Sequence, residues 1–391
     1  MPPSITRREM LQASTVATAA VLLRGRPAAA APKAEVLETK VISHQPELYN
    51  GWPTVARRKC GQLLVVCSGG REAHVCPFGR VEMMRSDDEG RTWGWPCVLL
   101  DTEIDDRDSG VLETAKGTIL VTTFTSLAYE SYNLAKAEKI KPGEPGAWAP
   151  ERLARCQAAH NRLPAEKRKE MLGELMLRST DGGATWSAPY RCQVNSPHGP
   201  FQLADGRVLY AGKELWHGDH RNGVCESKDD GQSWQWLATI PTREGDRPDS
   251  YHELHGVETT DGRLVVQIRN HNKQNSGETL QTESSDGGKT WSTPHTIGVW
   301  GLPSHLLRLQ DNRLLMTYGH RRPPYGNQAR VSEDGGRTWS ESMILSGDGL
   351  GGDLGYPSTV QLKDGSLLSV WYEAMKGYRG AVLRQARWKL G

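Results

Sequence analysis

A short motif that occurs five times constrains the fold of this chain more than any other feature. It has the form S-x-D-x-G-x-[T/S]-W and begins at Ser86, Ser179, Ser227, Ser284 and Ser332. In such a motif we expect the Asp to accept hydrogen bonds from nearby backbone N–H groups, the Gly to adopt positive φ, and the Trp to pack the turn onto a sheet. The five copies therefore predict a repeated structural turn and say little about chemistry.

The spacing of the repeats predicts a ring of sheets. The five serines lie 93, 48, 57 and 48 residues apart, and a period of about 50 residues is typical of a four-stranded propeller blade. A second repeat, a turn followed by a strand-like apolar run, occurs six times, at Gly61, Gly117, Gly206, Gly262, Asn312 and Gly365. These positions predict six hairpins, each joining the first two strands of a blade. The sixth blade lacks the first motif, and residues 36–42 are expected to supply its outer strand and close the ring.

The one long interval between motifs indicates an insertion. Residues 127–172 account for the excess, are rich in helix-forming residues, and have Pro150 and Pro164 at plausible helix starts. We expect two helices between strands 2 and 3 of blade 2. The predicted fold is an all-β, six-bladed β-propeller with a helical insertion in blade 2, over residues 32–391.

The first 31 residues are typical of an export signal. Arg7 and Arg8 precede an apolar stretch that ends at Leu23, and four alanines follow at positions 28–31. This pattern predicts a twin-arginine signal with a cleavage site, too short to span a membrane once processed. The mature protein is then expected in the periplasm or outside the cell.

Composition excludes several classes of partner. The formal net charge is +2, which does not favour nucleic acid or an anionic membrane surface. The seven cysteines have no C-x-x-C spacing, so neither a zinc site nor a disulfide framework is expected. No metal or cofactor is predicted.

Counting back from the six hairpins locates residues near the propeller axis. The first strand of each blade lines the axis, and the position nine residues before each hairpin falls near the start of that strand. The six residues at this position are Trp52, Asp108, Pro197, Glu253, Pro303 and Tyr356. Blades 2, 4 and 6 thus present an acid, an acid and a phenol at matching places.

Basic and imidazole side chains accompany these positions. Arg71, Arg269 and Arg321 fall at the ends of second strands, which return to the same face. Convergent guanidinium groups match a carboxylate, so they predict an anionic ligand. Three histidines come one or two residues after counted positions on the first strands and are further candidates for substrate contact: His198, His255 and His305.

Three segments resemble those of the sialidases. Residues 252–269 are similar to the segment with a Glu before a hairpin and an Arg of the substrate triad, residues 355–373 to the one with the nucleophilic Tyr, and residues 318–326 to one supplying another triad Arg. The resemblance implies an Asp-box propeller in which Tyr356 is the nucleophile, Glu253 its base, and Arg71, Arg269 and Arg321 the carboxylate clamp.

Blade 1 departs from the sialidase pattern. Trp52 stands where the family usually has the first Arg of its triad, and either Arg71, which resembles a second blade-1 Arg of the family, or Arg57 is expected to replace it. Residues 71–80 contain no Asp to act as acid/base. The acidic run at residues 105–108 offers Asp108 and Asp106 for that role, with Glu72 and His74 as competitors.

The Tyr and Glu pair suits an acidic sugar. A neutral phenol can approach an anomeric carbon that bears a carboxylate, where an anionic nucleophile would be repelled, and a base must take its proton. The predicted function is a retaining exo-glycosidase that hydrolyses terminal sialic acid, or a related acidic sugar, from glycans. Two alternatives stay open: a lyase or hydrolase acting on uronic acids, and a carbohydrate-binding propeller without turnover.

Overall fold

The computed structural model describes residues 31–391, which form six four-stranded antiparallel sheets. The inner strands of neighbouring sheets contact one another around a common axis. The predicted six-bladed propeller is therefore confirmed. The predicted export signal lies outside the described residues except for its last position.

The strands follow the chain blade by blade. Blades 1 and 2 consist of β2 (Tyr49–Arg57), β3 (Leu63–Arg71), β4 (Arg80–Ser86), β5 (Cys97–Leu100), β6 (Asp105–Glu113), β7 (Ile119–Ser126), β8 (Glu174–Ser179) and β9 (Tyr190–Arg191). Blades 3 and 4 consist of β10 (Phe201–Gln202), β11 (Val208–Lys213), β12 (Asn222–Ser227), β13 (Gln235–Thr239), β14 (Tyr251–Glu258), β15 (Leu264–Asn270), β16 (Glu278–Ser284) and β17 (His295–Trp300). Blades 5 and 6 consist of β18 (Ser304–Arg308), β19 (Leu314–His320), β20 (Gly326–Ser332), β21 (Met343–Ser346), β22 (Leu354–Gln361), β23 (Leu367–Ala374), β24 (Ala381–Leu390) and β1 (Ala34–Val41).

The N-terminal strand completes the last blade, as expected. Strand β1 pairs antiparallel with β24, from Ala34 opposite Leu390 to Val41 opposite Arg384. This pairing covers the outer edge of blade 6, where unpaired backbone groups would otherwise be open to another chain.

The five turns formed by the repeated S-x-D-x-G-x-[T/S]-W motif, called box turns below, have the expected hydrogen bonds. In the first, Asp88 accepts from the backbone N–H of Thr92 at 2.9 Å, and the Ser86 hydroxyl accepts from the N–H of Gly90 at 2.8 Å. Each turn joins the third and fourth strands of its blade. The Trp side chain reaches the preceding blade, and Trp93 donates to Gln385 at 2.7 Å.

Second strands are buried on both faces because each blade lies between two others. Residues Leu63, Leu64, Val65 and Val66 of β3 are all completely buried. A short continuous apolar run is the pattern expected of such a strand. Among the described residues, no helix is long and apolar enough to cross a membrane.

The helical insertion lies between β7 and β8, the second and third strands of blade 2. It contains a π-helical turn at Glu130–Leu134, α1 (Ala135–Ala137), α2 (Pro150–His160) and α3 (Ala165–Glu170), while a 3-10 turn at Pro248–Ser250 lies elsewhere, before β14. Pro150 occupies the first turn of α2, where a missing N–H costs nothing. The insertion contacts a loop of blade 1, because Asn133 donates to the carbonyl of Val75.

Candidate active site

The same backbone irregularity occurs at four of the six positions identified by counting. Trp52, Asp108, Glu253 and Tyr356 have φ of 53°, 38°, 48° and 53°. At each of them the inner strand gains one residue over its partner, as between the pairs His252–Arg269 and His255–Gln267. Such a bulge re-aims a side chain, and positive φ is strained for residues other than glycine. The remaining two positions hold proline.

Tyr356 and Glu253 meet at the axis, together with Arg269. The Tyr356 hydroxyl donates to Glu253 Oε1 at 2.5 Å, and Arg269 Nη1 donates to Glu253 Oε2 at 2.5 Å and to the Tyr356 oxygen at 2.9 Å. Arg269 Nε also contacts His271 Nε2 at 2.8 Å. Strands β22, β14 and β15, from blades 6 and 4, thus place a phenol, a carboxylate and a guanidinium in mutual contact.

The electrostatics of this trio favour an ionised carboxylate beside a neutral phenol. Burial opposes ionisation of Glu253, but the charge of Arg269 and its hydrogen bond outweigh burial and hold the pKa of Glu253 at about 2. Burial, and then the charge of Glu253, raise the pKa of Tyr356 well above its usual value. The phenol proton is therefore directed at an ionised carboxylate.

Arg321 approaches the same tyrosine. Its guanidinium carbon lies 5.5 Å from the centre of the Tyr356 ring, and its Nε donates to the carbonyl of Leu354 at 3.1 Å. The charge of Arg321 also lowers the pKa of Glu253. Within the part of the chain that the structure describes, Arg321 has no carboxylate partner.

Arg71 is placed differently from the other two arginines. It is completely buried and forms a two-point ion pair with Asp105, at 2.6 and 2.9 Å. Its remaining contacts include the carbonyl of His74 at 2.9 Å. The expected role in a carboxylate clamp is not supported by this geometry, because the guanidinium is already occupied and has no exposed surface.

The two acid candidates of blade 2 also differ. Asp106 is completely buried and accepts hydrogen bonds from the backbone N–H and hydroxyl of Thr102, at 2.7 and 2.9 Å. Asp108 Oδ1 is buried and has no hydrogen-bond partner within residues 31–391, and Asp108 lines a small cavity together with Glu253. Burial raises the pKa of each to about 7.

The three histidines lie together, away from the expected substrate-binding side. The rings of His255 and His305 stack at 4.5 Å between centroids, and His198 packs against them at 5.5 and 5.1 Å. They line a cavity of about 430 Å³ that extends along the inner strands towards the hairpin ends, including Glu113 and Arg308. Burial lowers the pKa of His198 to about 3, and those of the other two fall well below the usual value. The structure thus places them beneath the Tyr356 trio as neutral side chains.

Sequence reasoning did not single out Arg107. Its guanidinium carbon lies 4.5 Å from the centre of the Trp52 ring, and its buried Nε has no hydrogen-bond partner in the part of the chain that the structure describes. It is half-buried, directly precedes Asp108, and lowers the pKa of that carboxyl against the larger effect of burial. The sequence signal that could have identified Arg107 is its position directly before Asp108, one of the six residues located near the axis by counting.

The family comparison agrees with this architecture. The sequence matches the BNR repeat-like domain family over residues 157–368, more than half of its length. The chain belongs to this family. A curated protein named sialidase, from Bacteroides fragilis, is 26% identical over 226 residues, which are 51% of this chain and 39% of that protein. The chain thus matches about two fifths of the length of that relative.

Solved structures share the propeller fold. A protein of unknown function from Dyadobacter fermentans superposes with a TM-score of 0.72 and 24% identity, over 92% of this chain and 99% of that one. The intramolecular trans-sialidase from Ruminococcus gnavus superposes with a TM-score of 0.61 and 14% identity, over 91% of this chain and 97% of that one. At these identities the likeness describes the fold, and the fold is that of a sialidase-like propeller.

Proposed function

We propose that this protein is a retaining exo-glycosidase that hydrolyses a terminal sialic acid, or a related acidic sugar, with Tyr356 as nucleophile. The observation that carries the proposal is the contact between the Tyr356 hydroxyl, Glu253 and Arg269. A phenol that donates to an ionised carboxylate at 2.5 Å is arranged for nucleophilic attack with loss of its proton. The sialidase relative and the shared propeller fold support a glycosidase at the family level.

The reaction begins with attack by the Tyr356 oxygen on the anomeric carbon as the bond from that carbon to the glycosidic oxygen breaks. The phenol proton passes to Glu253, and a general acid protonates the leaving oxygen. A neutral phenol is suited to this carbon because the sugar carboxylate would repel an anionic nucleophile. Water then attacks the anomeric carbon as the bond to the Tyr356 oxygen breaks. The water gives one proton to a general base, and the tyrosine recovers its own proton from Glu253. Two displacements at one carbon restore the original anomeric configuration.

Arg269 couples substrate binding to the strength of the base. In the structure its charge is directed at Glu253, which keeps the pKa of that carboxyl at about 2 despite burial. A substrate carboxylate bound by Arg269 and Arg321 would share this positive charge, so the pKa of Glu253 would rise. Glu253 would then accept the phenol proton more readily once the substrate is in place.

Arg107 and Asp108 complete the polar lining in this proposal. The guanidinium of Arg107 has no hydrogen-bond partner among the described residues, so it is free to bind an anionic group. Asp108 Oδ1 is likewise unpaired and can bind a sugar hydroxyl.

We also propose that the protein is exported through the twin-arginine pathway, on the basis of Arg7 and Arg8. Its proposed binding partners are glycans that carry an acidic terminal sugar.

Hydrolysis of an aryl α-sialoside by the purified protein tests the proposal, with NMR to identify the anomer released first. We expect hydrolysis with retention, and a covalent sugar on Tyr356 when a fluorosugar slows the second step. Cleavage of aryl uronides instead would favour the uronic-acid alternative. Sugar binding without turnover of either substrate would favour a binding propeller.

A further inference from the structure

A hydrogen-bonded cluster joins blades 1 and 6 beside the Tyr356 trio. Asp353 Oδ1 accepts from the hydroxyls of Tyr49 and Tyr372, each at 3.0 Å, and lies 2.9 Å from Nδ1 of His74. The Tyr49 oxygen is also 2.9 Å from His74 Nδ1. These hydrogen bonds hold the pKa of Asp353 below its usual value, although burial acts in the opposite direction.

The hydrogen bonds determine which imidazole nitrogen is free. Asp353 is ionised, so Nδ1 of His74 must carry a proton to donate to it. Nε2 is left without a partner among the described residues, and 45% of the His74 side chain is exposed. The histidine is thus held at one nitrogen and open at the other, the arrangement of an oriented acid/base.

Aromatic contacts connect this imidazole to the nucleophile. The His74 ring lies edge-on to Trp52 at 5.0 Å between centroids, and Trp52 lies edge-on to Tyr356 at 6.4 Å. Tyr372, which binds Asp353, packs against Tyr356 at 5.8 Å. His74 therefore belongs to the side-chain layer that surrounds Tyr356.

The loop that carries His74 is anchored from two directions. Arg71 donates to the carbonyl of His74 at 2.9 Å, and Arg155 of α2 pairs with Glu72 at 2.7 Å. A buried ion pair of blade 1 and the helical insertion thus both fix the loop position. Arg71 thus fixes the position of the His74 loop, a role that a completely buried side chain can fill.

We infer that His74 is the acid/base of the glycosidase, and that Asp353 positions it. The inference rests on the proposed function. In the first step His74 Nε2–H donates its proton to the glycosidic oxygen as the bond to the anomeric carbon breaks and the alcohol leaves. In the second, neutral Nε2 takes a proton from the attacking water as the bond to Tyr356 breaks, which regenerates the imidazolium.

The two aspartates of blade 2 are less suited to this step. Asp106 is completely buried and both of its oxygens accept hydrogen bonds from Thr102. Asp108 is 6% exposed, and among the described residues its buried Oδ1 has no hydrogen-bond partner to orient it, whereas His74 is 45% exposed and is held by Asp353. His74 has the more exposed side chain, an orienting carboxylate, and a contact with Trp52, which in turn packs against Tyr356.

The test compares two leaving groups in His74→Gln. An activated nitrophenol leaves without protonation, whereas the sugar of a sialyl-galactoside requires it. We expect roughly a 10²- to 10⁴-fold loss of kcat/KM on the sialyl-galactoside and a much smaller loss on the nitrophenyl sialoside. Added azide should restore the second step for the activated substrate, because an anion needs no base to attack.

Two matched variants serve as controls. His295→Gln, which alters an exposed histidine of β17 that is likewise paired with a carboxylate, Glu283, should leave the ratio between the two substrates unchanged. Asp353→Asn should shift the ratio in the direction of His74→Gln by a smaller factor. Equal losses on both substrates in His74→Gln, or the leaving-group dependence in Asp108→Asn instead, would overturn the inference while the proposed function stands. If the unmodified protein hydrolyses neither substrate, the proposed function fails as well.

Discussion

The two ends of the blades use repetition in different ways. At the box turns the same residues recur, and Asp88 and Asp334 each accept from the side chains and backbone of matching neighbours. At the start of the inner strands the backbone recurs but the residues do not, since one bulge presents Trp52, Asp108, Glu253 or Tyr356. A repeated turn stabilises the ring, whereas a repeated bulge with varied side chains assembles a site.

The largest expected effect lies at the inner-strand bulge. Tyr356→Phe removes the attacking oxygen and keeps the ring packing, so we expect kcat to fall by roughly 10³-fold or more. The melting temperature should change little. Steady-state kinetics together with thermal unfolding would check this, and an unaltered kcat would remove Tyr356 from the mechanism.

Arg71 should matter for stability to an extent that Arg321 does not. Arg71→Met leaves Asp105 buried without its partner, which costs about 3–5 kcal/mol of unfolding free energy. The double variant Arg71→Met/Asp105→Leu should recover most of this loss. Denaturant unfolding measures both, and a single variant as stable as the unmodified chain would contradict the role assigned to the pair.

Asp108 should make stability depend on pH. Burial raises its pKa from 3.8 to about 7, so the folded chain keeps this proton up to about pH 7 while the unfolded chain releases it near pH 4. Stability therefore falls as the pH rises through that window. Asp108→Asn should be more stable than the unmodified chain above pH 7, by a few kcal/mol, and the difference should vanish below pH 4.

The smallest effect is expected at a box turn. Asp334→Ala removes the acceptor for the N–H and hydroxyl of Thr338, which should cost about 1–2 kcal/mol of unfolding free energy. Because the turn lies between the third and fourth strands, kcat/KM should be unchanged. A large kinetic loss at this distance would show that the two ends of the blade are not independent.

The counting argument located the axial residues because the hairpins and the bulges keep the same separation in the four blades that have a bulge. Tyr356, Glu253 and Arg269 were predicted to meet on the basis of this register and of the resemblance to sialidases, and they do in the structure. Arg71 has the same sequence position at the end of a second strand, yet it is buried against Asp105. The sequence predicts the position of a residue on its strand. Whether the side chain is buried or exposed depends on the residues that neighbouring blades place around it.

The sequence by itself determined the blade number, the ring closure by β1 and the place of the insertion, because turns and strand periods are local properties of the chain. Only the tertiary structure showed that Asp353, which also accepts from Tyr372, holds His74, since Asp353 and His74 are almost 300 positions apart in the chain and meet where blade 6 closes on blade 1. Only the tertiary structure likewise showed that Arg71 is buried against Asp105, whereas Arg321 has no carboxylate partner among the described residues. Burial and pairing depend on contacts between blades, which no local pattern records.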